Sequence, residues 1–465
     1  AGDALTDADF NTAIGQQSLS ADTLGSRSTA VGWGALQAQN FTTATDVYNV
    51  AVGNLAGTAI STGVQNTLIG GLAGDALTDA DMNVAIGYLA LTGDALNTSN
   101  NNVAIGYQAL STDVKGTKTV AIGYQALFDQ NFSTNTDTYN VAVGYLAGAN
   151  VTTGVQNTII GGLAGDSLTD ADFNTAVGMQ ALTADTLGSR STAMGFFALG
   201  SQNFTTATNT YNTAVGYSAG GAVTTGIQNT FVGGTTGQAT TDADYNVAMG
   251  YGALYTNILG SKSTAIGVSA LQNQNFTTAT DSFNTAVGYT AGLAITTGTS
   301  NTIIGAEAGN NITTGGGNFA AGYGSLTNET KGNSSIAIGS LALLSQNFTT
   351  STNAYSVAIG EQAGRNVTTG IQNTLIGGLA GDALTDADNN VAIGQFSLSA
   401  DTLGSNSVAV GRAALISQNF TTATDTYNTA VGYGAGYAVT TGINNTLIGG
   451  LAGDALTDGD NNVAL

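Results

Sequence analysis

Asn11-Thr12-Ala13-Ile14-Gly15 is a five-residue phrase that returns, with small changes, from one end of the chain to the other. With its closing glycine as marker it falls at Gly15, Gly32, Gly53, Gly70 and Gly87, resumes at Gly106, Gly123, Gly144 and Gly161, and continues to Gly449. Successive steps of 17, 21, 17 and 17 residues make a 72-residue unit, at 15–87, 106–178, 178–250, 250–322, 322–394 and 394–465, with one extra 19-residue coil at 88–106. A fixed period of this size signals stacked repeats.

Alternation within the phrase puts Thr12 and Ile14 on one face of a short strand and Asn11, Ala13 and Gly15 on the other. The Ile14 position holds Val31, Val52, Ile69, Ile86 and Ile105, with Met194, Met249, Ala321 and Leu465 as exceptions, and its bulk marks it as the expected coil interior. Runs this short, separated by Gly, Thr, Asn and Asp, do not fit helices. With 66 glycines and no proline, turns can use positive φ and no coil lacks a backbone donor for its neighbours. The expectation is an all-β fold, a parallel β-solenoid of about 26 coils in a 17-21-17-17 pattern, one continuous domain over 1–465. At roughly 4.8 Å per coil, such a stack is a rod on the order of 120 Å long.

A net charge of -22 with 8 basic residues argues against nucleic acid or an anionic membrane surface as partner. Without histidine or cysteine the chain lacks the commonest catalytic base, the thiolate nucleophile and the usual zinc ligands. Almost every acidic residue belongs to a repeated position, so no enzyme activity and no catalytic residue are expected. No apolar run is long enough to cross a membrane. The chain begins at Ala1, and its first and last 14 residues match closely, which reads as a segment cut in phase from a longer array.

Several columns recur from coil to coil. The Asn11 position is repeated at Asn49, Asn66 and Asn83, with Ser28, Thr119 and Ser191 as variants; it is either a hydrogen-bonded ladder or a residue suited to the turn before the strand. Just before it, Phe10, Arg27 and Tyr48 follow one another, as do Phe173, Arg190 and Tyr211, which reads as a cation between two rings or as coincidental drift. The 21-residue coil is longer by four residues, expected to protrude around Asn40-Phe41-Thr42-Thr43. Its Asn-Phe-Thr or Asn-Phe-Ser triplets at Asn40, Asn131, Asn203, Asn275, Asn347 and Asn419 are sequons in a suitable exported setting. The third coil carries Leu68, Ile159, Phe231, Ile303, Leu375 and Leu447 where others have Ala, so this face is expected to meet something apolar. Asp7 and Asp9, Asp79 and Asp81, and Asp170 and Asp172 are the calcium candidates, without a recognised loop spacing, and acidic turn residues otherwise. No other cofactor is implied.

Asn140-Val141-Ala142-Val143-Gly144-Tyr145-Leu146-Ala147-Gly148 and its copies resemble the head repeats of YadA-like trimeric autotransporter adhesins, and are similar to arrays in phage tail fibres. The resemblance covers essentially the whole chain. It implies a left-handed parallel β-roll, three identical chains side by side, and a place at a cell or virion surface. Unequal coil lengths depart from that pattern, and neither a neck, stalk, anchor nor chaperone domain is present in the sequence. The Ala/Gly face independently favours association, because it lets a second backbone approach closely and a single narrow coil buries little.

The expected function is a rigid extracellular fibre or adhesin shaft presenting a binding surface, as a homotrimer or homopolymer whose receptor or glycan the sequence does not name. The alternative is a self-assembling extracellular filament. An ice- or glycan-binding solenoid is a lesser alternative, since the threonine grid it would need is broken by Val50, Val84 and Val103.

Overall fold

The computed structural model describes residues 1–93 and 99–465, so part of the extra coil, 94–98, lies outside the described residues. Among the described residues it is all-β without a helix, a parallel β-solenoid of about 26 turns. Two compact units, Ala1–Asn229 and Thr230–Leu465, divide it where no composition shift marks a boundary.

Within each unit the phrase forms a three-residue strand, two residues at Val463–Ala464, that pairs in parallel and without slippage with the strand of the next coil. In the first unit Thr12 pairs with Thr29, Thr29 with Val50, Val50 with Thr67 and Thr67 with Val84. In the second, Thr230 pairs with Val247, Val247 with Thr264 and Thr264 with Thr285. A second parallel ladder is short and occurs once per repeat, as between Gly25–Ser26 and Thr45–Asp46.

The marker glycine follows from this stacking. Gly32 has φ +139, and a Cβ built there would lie 2.2 Å from the carbonyl oxygen of Gly53 in the coil above. No side chain fits a backbone that close, so the same residue returns in every coil.

The structure inverts the expected inside and outside of the strand. Ala30, Ala51 and Ala85, the middle residues, are fully buried, whereas Val52, Ile69 and Met194 at the Ile14 position remain 37, 38 and 42% exposed. The coil is narrow, and its interior is already filled by residues from the turns, among them Leu36, Ile60 and Leu77. Only a methyl fits at most strand centres. The β-branched residues stand on the outer pleated surface, which their shape also suits. The small face therefore cannot receive a second backbone, and that argument for association is withdrawn.

Where the strand centre is large, the turn makes room. Leu68 is fully buried, and Cβ atoms built at Gly57 and Gly74 would meet its two methyl carbons at 2.6 and 2.8 Å. The first two coils of a repeat, whose strand centres are Ala, instead place Leu19, Leu36 or Leu110 four residues after the marker, where Gly57 and Gly74 stand in the third and fourth. Those leucines take the left-handed region, Leu36 at φ +50, a cost in backbone strain offset by complete burial. The expectation that Leu68 and its equivalents meet something apolar holds, and what they meet is the chain's own core.

Candidate functional site

The asparagine column lies inside the coil. Asn49, Asn66 and Asn83 are fully buried. Asn49 Oδ1 accepts from the backbone N–H of Asn66 at 2.9 Å, and Asn66 Oδ1 from that of Asn83 at 3.0 Å. The amide nitrogens turn the other way, Asn49 Nδ2 donating to the Gly63 carbonyl at 2.7 Å and Asn11 Nδ2 to that of Gly25 at 2.8 Å. The column is thus a ladder of side chain to backbone, satisfying turn groups that sheet pairing leaves free.

Once per repeat the ladder reaches a serine or threonine, and a glutamine bridges the gap. Gln39 Nε2 donates to Ser28 Oγ at 3.0 Å and to Asp22 Oδ2 at 2.6 Å, while its Oε1 accepts from Asn49 Nδ2 at 3.0 Å. Asp22 Oδ1 also accepts from the Gly25 and Phe41 amides, each at 3.1 Å. The arrangement repeats at Asp185, Gln202, Ser191 and Asn212. Burial pushes the Asp113 and Asp185 carboxyls above the usual carboxylate range, against hydrogen bonds that favour the charged form. Sequence reading misses this network; its signal is the recurrence of an acid or amide seven residues after the marker, as in Asp22, Gln39, Asp113 and Gln130.

The cation column is outside. The Arg27 guanidinium lies 5.1 Å from the Phe10 ring centre and 5.6 Å from that of Tyr48; Arg190 lies 4.6 and 5.9 Å from Phe173 and Tyr211. A carboxylate that the sequence reading does not include joins it: Arg27 Nε donates to Asp46 Oδ1 at 2.8 Å and Lys118 Nζ to Asp137 Oδ2 at 2.6 Å. Lys118 and Thr117 hold the Asp137 carboxyl below its ordinary range. All these groups are about half exposed, so solvent screens each pair and its contribution to stability is small.

In the long coil Phe41 is turned inward and Thr42, Thr43 and Ala44 are exposed, so the excursion is a loop pinned by a buried ring. The sequon residues Asn40, Asn131, Asn203, Asn347 and Asn419 are exposed, and Asn275 is half-buried. Of the calcium candidates, Asp79 Oδ1 accepts from Ser61 and Thr62 hydroxyls at 2.7 and 2.9 Å, and Asp81 Oδ1 from the Val64 amide at 2.8 Å. Asp170 and Asp172 repeat the pattern toward Thr153 and Val155, and Asp7 and Asp9 are exposed near the first strand. The carboxylates of Asp79, Asp81, Asp170 and Asp172 tie one coil to the preceding one, and among the described residues no group of three His, Cys, Asp or Glu side chains is placed to hold a metal.

The outer face carries the exposed chemistry. Beside the aliphatic column, the residue after each marker gives the stacked run Tyr88, Tyr107, Tyr124 and Tyr145, with ring centres 5.8, 5.1 and 5.3 Å apart. Trp33, Phe196 and Tyr217 occupy the same position elsewhere and are also exposed. Neither a protein-family model nor a curated protein matches the chain.

Proposed function

We propose that the chain is a shaft segment of an extracellular fibre or adhesin, assembled side by side as a homotrimer and presenting a binding surface at a cell or virion exterior. The observation that carries this reading is the outer face. Exposed Ile, Val and Met side chains recur in register beside tyrosines, an apolar stripe of the kind that marks association surfaces. Association along this stripe replaces the Ala/Gly face as the argument for a trimer. In this reading the 17-21-17-17 succession sets one Thr-rich loop per repeat along the shaft, as at Thr42–Ala44, available for contact or for modification at its sequon. Repetition in place of a unique site favours a structural role over catalysis.

Light scattering and negative-stain electron microscopy on the purified chain test this. The expected result is a discrete particle of three times 46.1 kDa, seen as particles of one size. Concentration-dependent polymers of indefinite length would favour the filament reading, and a 46.1 kDa monomer would overturn both.

A further inference from the structure

One cavity, in the second unit, is lined by residues that depart from the repeat. It is a half-open hollow of about 320 Å³ between Phe396, Arg412, Ala413, Ile416, Tyr433 and Tyr437. Phe396 stands where the other repeats have Gln17, Gln108, Gln180, Gly252 and Gly324. Arg412 replaces Trp33, Tyr124, Phe196, Val268 and Ser340, and Tyr437 replaces Thr58, Ala149, Gly221, Leu293 and Arg365. Repeat drift acting on each position separately has no reason to gather an aromatic, a cation and a second aromatic around one hollow.

Arg27, Lys118 and Lys262 each hold a carboxylate and Arg190 donates to the Asn209 amide oxygen, whereas Arg412 forms no ion pair among the described residues and faces a hollow. Its guanidinium lies 5.9 Å from the Tyr433 ring centre, with Nη1 3.5 Å from the phenol oxygen. A guanidinium takes a carboxylate bidentately through its planar fork of donors. Ala413 and Ile416 supply apolar contact, and Phe396 and Tyr437 supply rings. The volume is at the low end for a small-molecule site and suits a single ring.

The geometry points to a binding site for a carboxylated ring, with Arg412 taking the carboxylate and the Phe396 and Tyr437 rings taking the ring. An acidic sugar and an aromatic acid share this chemistry. All its residues come from one chain, although Arg412 and Tyr433 stand in the column just after the marker, beside the stripe through which association is proposed.

Titration of the full chain with D-glucuronate, benzoate and D-glucose, followed by saturation-transfer NMR and calorimetry, tests it. At least one acid binds with one site per chain and glucose binds at least tenfold more weakly; glucuronate alone indicates a sugar source, benzoate alone an aromatic one. Arg412→Gln and Phe396→Gln weaken binding at least tenfold, the latter restoring a residue other repeats fold with. Arg365→Gln, which removes the same charge outside the cavity, leaves binding unchanged. Failure of both acids to bind, equal binding of glucose, unchanged binding by Arg412→Gln or Phe396→Gln, or equal weakening by Arg365→Gln would overturn the assignment.

Discussion

Buried polar residues in this chain repeat as strictly as the apolar ones, and a single departure shows how closely they are matched. Gln346 donates to Ser335 Oγ at 2.7 Å and to Glu329 at 2.9 Å, but Ser356 stands where the other repeats have Asn49, Asn140, Asn212, Asn284 and Asn428. Gln346 Oε1 and Ser356 Oγ are both buried without a partner. Ser356→Asn supplies the missing donor, and an unsatisfied buried group costs about 1–3 kcal/mol. The variant is expected to unfold at higher temperature in calorimetry; a fall in melting temperature would mean the bridge is not worth its packing. The buried acid gives a second expectation. Desolvation raises the folded-state pKa of Asp185 above 3.8, so this group's contribution is most favourable below that pH and declines as pH rises through the interval up to the raised value. Asn257 shows that a neutral amide fits the same place, accepting from Gly260 N at 3.1 Å. Asp185→Asn is expected to match or exceed the natural chain in melting temperature at pH 7, with the difference moving in favour of the natural chain on acidification. A variant several degrees less stable at pH 7 would contradict the sign.

At the scale of the coil, core volume is traded between strand and turn. Leu68 with Gly57 and Gly74 is one solution, and Ala51 with Leu36 is the other. Leu68→Ala is expected to cost about 2–5 kcal/mol, as for other buried leucines. Gly57→Ala alone drives a methyl into Leu68 and also destabilises. The double variant is expected to lose less than the two single losses together, because removing the leucine methyl removes the clash. Strict additivity in chemical denaturation would show that the two positions do not share one space. The same trade explains what was legible in the sequence. Period, parallel stacking and strand positions follow from the marker glycines alone. Which face of Thr12-Ala13-Ile14 points inward did not, because alternation defines two faces without saying which one encloses the core. That is decided by Leu36, Ile60 and Leu77 in the turns, all fully buried, of which Leu36 takes left-handed backbone. The outward cation column was legible as Phe10, Arg27 and Tyr48, but its carboxylate, Asp46, sits 19 residues from Arg27 beyond a loop whose path the period does not give.

For each unit as a whole, shape follows from evenness of step. No single contact is strong: the exposed ion pairs are weak and the strands are two or three residues long. What accumulates is the repetition of the same few hydrogen bonds and the same buried methyls in every coil, as in other repeat proteins, where stability is set by neighbours. Function on this view depends on spacing, with specificity confined to places where the repeat is broken, such as the surroundings of Arg412.

Because the chain has no cysteine, pairs of spin labels can be placed cleanly within the second unit, at Ile304 with Ile393 and at Ile304 with Ile448. Register places Ile393 five coil steps from Ile304. Three further steps reach Ile448. At roughly 4.8 Å per step, electron-paramagnetic-resonance distances of about 24 and about 38 Å are expected, each narrowly distributed, when labelled chain is diluted with unlabelled chain. Distances that do not grow in proportion to the number of coils would contradict the stacked-strand account.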